Sequence, residues 1–187
     1  MDEFTLNIIH LPNDVNYPHR KLREDNFLKE INEQKIKDYK VWEGIFIPDN
    51  PIKSISQSHK QIVNHAKKNG LKRVIIAEDD FTFTYKNGWN IFLEKIPIKY
   101  DLFLSHTYNA NYDFNGKIKG IFASLTLYSV HENFYDEFLN KNENEHLDLT
   151  MNKAWRHDIF VCLPMVCKQL NGWSENSKKY MNWDEIK

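Results

Sequence analysis

The segment RVIIAEDD, residues 73–80, constrains this chain more than any other. Four apolar residues, Val74 to Ala77, run without interruption and then meet three consecutive acids, Glu78, Asp79 and Asp80. An unbroken apolar run has no polar side to turn toward water. It therefore predicts a short strand covered on both faces, as in a parallel sheet between helices. The acids then fall at the C-terminal end of that strand, the edge where open α/β sheets bind ligands. Three neighbouring carboxylates repel one another unless a cation or hydrogen-bond donors neutralise them. Oxygen-only ligands suit Mg²⁺ or Mn²⁺, which take one or two carboxylates and complete their shell with water and phosphates. An acidic cap or solvated turn would also account for three acids after a strand.

The rest of the chain supplies the alternation that such a sheet needs. Phe4 to Leu11 predicts a first strand. A polar turn through Pro12, Asn13, Asp14 and Asn16 leads to a helix over 21–34, with Leu22, Phe27, Leu28 and Ile31 as its apolar face. Tyr39 to Ile47 predicts a second strand, with Gly44 marking a bulge or a close approach to the backbone. Pro48 to Pro51 breaks the pattern. A helix then carries Ile55, His59, Ile62, Val63 and Ala66 on one face and stops at Gly70. After the acids come a short helix over 87–95, a strand over 100–104 and a long strand segment over 118–130 containing Gly120. Helices over 131–139 and 147–154 and a strand over 159–163 follow. Strands alternating with helices predict an α/β sandwich with a mostly parallel sheet in one domain.

Composition narrows the function classes. The 187 residues carry 25 Lys+Arg against 26 Asp+Glu, a net charge of −1, which disfavours coating nucleic acid or an anionic membrane. Hydrophobic residues make up 41% and aromatic residues 14%, enough for an ordered core. No apolar run approaches the roughly 20 residues of a membrane span. The acidic start MDEFTLNIIH lacks the layout of a signal peptide, so a cytoplasmic protein, of a bacterium or an infected host cell, is expected. Cys162 and Cys167, five apart, have neither zinc spacing nor a disulfide framework and read as core residues.

Three further elements stand beside the acids. Ser58-His59 sits one helix upstream, with His59 on the apolar face, where a core histidine satisfied by a hydrogen bond is the plain alternative. Asp148, in His146-Leu147-Asp148, opens a predicted helix and is equally readable as its N-cap. Pro164, Gln169 and Ser174 follow the last strand.

In order and spacing these elements resemble the glycosyltransferases of the lipopolysaccharide-biosynthesis type, family 25, which have the GT-A fold. The matching segments are Ile8-Ile9-His10-Leu11 with Arg20-Lys21, Trp42-Glu43-Gly44, Ser58-His59, Ile75 to Asp80, Tyr100 to Leu104, Gly120 to Ser129, Asp148, and Pro164 with Gln169 and Ser174. The resemblance implies a minimal GT-A-like (Rossmann-like) domain over 1–172; the tail over 173–187, with Trp173, Tyr180 and Trp183, reads equally as an active-site lid that orders over bound donor or as a mobile tail with incidental aromatics. Its implied donor is a nucleotide-diphosphate sugar, a UDP-sugar foremost, and its implied acceptor a glycan or other hydroxyl compound. Mn²⁺ or Mg²⁺ would be held by Asp80 and Asp79, with Glu78 in support, and would stabilise the departing diphosphate. His10 and Leu11 would lie near the nucleotide base and Arg20 on the phosphates. Gly44 and Gly120 would admit the donor to the backbone, and Ser58, His59 and Gln169 complete the donor-side set. Asp148 would be the base for an inverting transfer. Two other readings share these residues: a viral or phage transferase that glycosylates a hydroxymethylated DNA base, so that nucleic acid enters only as acceptor, and a relative that binds nucleotide sugars without turnover.

Overall fold

The computed structural model describes residues 2–151 and 157–185. Its centre is the expected apolar strand, β3 (Arg73–Glu78). The side chains of β3 alternate between two cores. Val74 and Ile76 join a cluster with Ile62, Val63, Ala66, Tyr128 and Phe138. Ile75 and Ala77 join another with Leu6, Ile8, Phe27, Ile31 and Phe92. Each of these four β3 residues is at most 1% exposed, so the unbroken run is explained by burial on both faces. Truncating Ile76 to Ala would cost about 2–5 kcal/mol through lost transfer energy and the cavity left behind.

Around β3 lie β1 (Leu6–His10), β2 (Tyr39–Glu43), β5 (Leu102–Leu104), β6 (Leu127–His131) and β7 (Ile159–Val161). The sheet order is β2-β1-β3-β6-β5-β7. β1 pairs in parallel with both β2 and β3, and β5 pairs in parallel with β7. Only β6 runs against its neighbours. Helices α1 (Pro18–Glu33) and α2 (Pro51–Lys68) are the crossovers that parallel pairing requires. Beyond the sheet, β4 (Phe81–Phe83) pairs with β8 (Cys167–Gln169), and β9 (Gly172–Ser174) pairs with β10 (Lys179–Met181). The short helices are α3 (Gly88–Lys95), α4 (Tyr135–Leu139) and α5 (Leu147–Thr150). The expected mixed α/β sandwich with a mostly parallel sheet in one domain is what forms.

Several expectations are corrected. The long strand over 118–130 is strand only at its end. Gly120 at φ 140° and Ser124 at φ 100° turn the backbone out of extended geometry, leaving isolated bridges such as Tyr108 with Ala123. α1 begins at Pro18, where proline suits the first helical turn. Its buried face is Arg20, Phe27, Glu30 and Ile31, while Leu22 and Leu28 are exposed. α2 begins at Pro51, capped by the Asn50 side chain, which accepts from Lys53 N at 3.0 Å. β2 stops at Glu43, so Gly44 lies in the loop beyond it. The segment 132–134 is a single 3₁₀ turn ahead of α4. The part of the 147–154 helix beyond Met151 lies outside the described residues. Cys162 and Cys167 are buried free thiols, as core residues would be.

Candidate active site

Because β1, β2 and β3 are parallel, their C-terminal ends meet at one edge of the sheet. The register sets Ile9 opposite Glu78 and His10 opposite Glu43. A cavity of about 380 Å³ opens there, within the roughly 300–1,000 Å³ usual for small-molecule sites. It gathers Leu11, Arg20, Gly44, Ser58, His59, Glu78, Asp79, Asp80, Asp148 and Gln169. Gly120 is not part of its lining; a Cβ there would meet nothing within 4 Å, and its positive φ is what calls for glycine. At Gly44 the close approach comes from the protein itself, since a Cβ would lie 3.0 Å from Leu11 Cδ2.

The three acids are held very differently. Asp79 has both oxygens engaged. Its Oδ2 is 2.7 Å from His10 Nδ1, and its Oδ1 accepts from Arg23 Nη1 at 2.8 Å. Burial pushes its carboxyl up, but the Arg23 charge and the His10 hydrogen bond outweigh this and hold it below the usual range. Asp80 has weaker support. Arg23 Nη2 lies 3.4 Å from its Oδ2, Gln169 Nε2 reaches the same oxygen only at 3.5 Å, and its buried Oδ1 has no hydrogen-bond partner among the described residues. Burial pushes the Asp80 carboxyl up to about 7; Arg23 opposes the shift, while Glu78 and Asp79 add to it. Glu78 is about a quarter exposed and faces His59 Nε2 at 3.2 Å. A carboxylate only accepts, so Nε2 carries the proton. His59 Nδ1 is then free to accept from the Tyr128 hydroxyl, 2.7 Å away. The core histidine and the site histidine are one residue: His59 is 1% exposed and orients Glu78.

Arg23, which the sequence did not single out, also lines the cavity and faces the acids. It stands three residues from Arg20 and four from Phe27, hence on the same face of α1. In a chain with only 4 arginines, two of them three apart in one helix were a usable signal. Arg20 is buried, its guanidinium 4.1 Å from the Tyr17 ring centroid and 4.6 Å from that of Phe46. Its Nε and Nη2 donate to Glu175 at 2.8 and 2.9 Å.

Asp148 is not the N-cap of α5; His146 takes that position. The Asp148 carboxylate instead accepts from Ser124 N at 3.1 Å and Leu149 N at 2.8 Å, which fixes it at the cavity wall. Ser58 Oγ accepts from Ile45 N at 2.8 Å and donates to Ser54 O at 2.7 Å, so it shapes the loop after β2. Part of the segment over 172–185, which lacks any sequence period, borders the cavity. Gly172 and residues 174–177 line it, as does Trp183, stacked on Tyr108 with ring centroids 5.6 Å apart.

The donor set at the acids suits a hard cation, because the free Asp80 Oδ1 and the adjoining Glu78 are oxygen ligands. Asp79 fits such an ion less well, its oxygens being taken by His10 and Arg23. Among the described residues, no group of three or more His, Cys, Asp or Glu side chains forms a ready metal cage.

No family model matches the chain, and no curated protein matches it. Solved structures do. A glycosyltransferase involved in glycosylation of the major capsid of PBCV-1 aligns at TM-score 0.54 and 13% identity, covering 93% of this chain and 96% of that one. The fold of this chain resembles that of this glycosyltransferase. A protein from STIV aligns at TM-score 0.54 and 11% identity over 97% and 93% of the two chains. HddC from Yersinia pseudotuberculosis, in complex with GMP-PN, aligns at TM-score 0.53 and 9% identity over 84% and 88%. At such identities the likeness concerns the fold, and what this chain does must be argued from its own site.

Proposed function

We propose that the protein is a glycosyltransferase that moves a sugar from a nucleotide-diphosphate sugar to a hydroxyl acceptor, a glycan foremost. One observation carries the proposal: an under-neutralised acid, Asp80, and a separately oriented carboxylate, Asp148, converge on a single cavity at the C-terminal edge of the sheet. Glycosyl transfer needs that division of labour. One end must stabilise the charge that gathers on the leaving diphosphate, and the other must accept the proton of the attacking hydroxyl. The PBCV-1 glycosyltransferase and the HddC complex with GMP-PN, which share the fold, favour a nucleotide-linked substrate. The family-25 resemblance of the Ser58-His59 and Glu78-Asp79-Asp80 segments points the same way.

The chain's own residues divide the work as follows. Arg23 sets a permanent positive charge beside Asp79 and Asp80, close to where the diphosphate would lie. Tyr128 and His59 hold Glu78 in one orientation. Ile9, Leu11, Ile45, Ile52 and Ile55 give the cavity an apolar wall suited to a nucleobase face. Asp148, fixed by two backbone N–H groups, receives the acceptor's proton in an inverting displacement. Mn²⁺ or Mg²⁺, held by Asp80 with Glu78, would supply Lewis-acid stabilisation of the leaving group.

A thermal-shift panel of UDP-, GDP-, dTDP- and CMP-sugars, with and without Mn²⁺, tests the proposal. At least one nucleotide sugar should raise the melting temperature by several degrees, and more so with Mn²⁺. A flat panel would remove the donor reading.

A further inference from the structure

The most heavily bonded ion pair lining the cavity joins the start of α1 to the C-terminal hairpin. The Glu175 carboxylate takes the Nε and Nη2 edge of Arg20 at 2.8 and 2.9 Å and His19 Nε2 at 2.7 Å. The remaining Arg20 nitrogen, Nη1, donates to Pro12 O at 3.2 Å. With Tyr17 and Phe46 beside the guanidinium, Arg20 is fixed in place, and its two parallel donors point at one planar anion. Both partners are largely buried, the Arg20 side chain at 5% and the Glu175 side chain at 22% exposure. Burial raises the Glu175 carboxyl, but Arg20 and His19 outweigh it and keep it below the usual range.

Glu175 sits in the turn between the three-residue strands β9 and β10. That hairpin is also tied by Arg23 Nη2, which donates to Trp173 O at 3.1 Å. Two arginines that line the donor cavity therefore hold the hairpin down. The pair is a firm hold on a short hairpin, made of charge-assisted hydrogen bonds that share one planar fork. A fork that fits a carboxylate also fits phosphate oxygens.

We propose that His19 and Arg20 form a phosphate-type anion site occupied by the chain's own Glu175, so that the C-terminal hairpin and the donor diphosphate compete for the same two side chains. The proposal rests on the nucleotide-sugar reading and deepens it. The hairpin is then a self-inhibiting strap, released from Arg20 when a diphosphate enters, and not solely a lid that closes afterwards.

Inorganic pyrophosphate and UDP are suitable probes, titrated calorimetrically into the full chain and into Glu175→Gln. Removing the competing charge should tighten pyrophosphate binding by roughly tenfold, because the competent state no longer has to be freed first. In the wild-type chain, pyrophosphate should speed tryptic cleavage after Lys178 and Lys179, which lie on the same hairpin. Arg20→Gln should lose pyrophosphate binding and also lose the difference made by Glu175→Gln. Equal or weaker binding to Glu175→Gln, with cleavage unchanged or slowed by pyrophosphate, would overturn the competition. Failure of the donor reading looks different: pyrophosphate would still compete with the hairpin, yet no nucleotide sugar would bind.

Discussion

Arg23 and Asp79 form the hinge of the acidic site: Arg23 Nη1 donates to Asp79 Oδ1 at 2.8 Å, while Nη2 lies 3.4 Å from Asp80 Oδ2. The helix α1 thus provides the charge that lets three adjacent acids share the end of one strand. It also leaves them unequal. Asp79 is doubly bonded and low in pKa, whereas Asp80 is raised and has a free oxygen.

Removing that arginine should therefore be expensive. Arg23→Ala removes the donor to Asp79 Oδ1, leaving His10 as that carboxylate's remaining partner, and should cost about 1–3 kcal/mol of unfolding free energy, read by urea denaturation. Arg23→Lys keeps the charge without the fork and should fall between. Mn²⁺ should stabilise Arg23→Ala more than the wild type, because a bound cation replaces the lost charge. A loss below about 0.5 kcal/mol would show that Arg23 does not neutralise the cluster.

The raised Asp80 makes stability depend on pH with a definite sign. Its folded value, about 7, lies above the ordinary 3.8. Between those values the folded chain holds a proton that the unfolded chain has released, so stability falls as pH rises from about 4 to 7. Asp79 acts in a separate window. Its lowered value contributes stability that is present above 3.8 and lost as pH falls through the folded value. Asp80→Asn should accordingly raise the melting temperature at pH 7.5 without metal, and the gain should vanish near pH 4. A gain that is constant across this range would contradict the assignment of the titration to Asp80.

Asp148→Asn should lower turnover by about 10²- to 10⁴-fold, the usual contribution of a positioned base, with donor affinity little changed. Pre-steady-state turnover and calorimetry on the same sample separate the two. A large loss of donor binding would instead place Asp148 against the donor.

Tyr128→Phe tests the orientation of Glu78. The substitution leaves His59 Nδ1 buried without a donor, costing about 1–3 kcal/mol. It should also weaken Mn²⁺-dependent donor binding severalfold, although Tyr128 is absent from the cavity lining. Unchanged Mn²⁺ dependence would limit the His59 chain to a structural role.

The sequence was most informative where one physical demand acted alone. Val74 to Ala77 had to be buried on both faces, and from that followed the parallel sheet, the edge at which the acids lie and the paths of α1 and α2. Ser58, His59 and Gln169, singled out through the family resemblance, line the cavity at that edge. Periodicity failed where demands were mixed. The face of α1 is partly polar, since Arg20, Arg23 and Glu30 all turn inward to partners 50 or more residues away, so an apolar stripe through Leu22 and Leu28 was misleading. Residues 118–126 look β-rich but are bent by Gly120 and Ser124. The C-terminal hairpin is held by ion pairs to α1 rather than by an apolar pattern, and pairing partners of that kind leave no local trace in a sequence.

Under the proposed function, Asp80 acts on a nucleotide-diphosphate sugar in the cavity at the C-terminal end of β3. Release of nucleoside diphosphate, measured enzymatically across a panel of nucleotide sugars with Mn²⁺ and a range of hydroxyl acceptors, tests it most directly. The wild-type chain should give steady release from at least one donor, and Asp80→Asn should lose at least about 100-fold while remaining folded. Release from no donor, or equal release by Asp80→Asn, would contradict this reading.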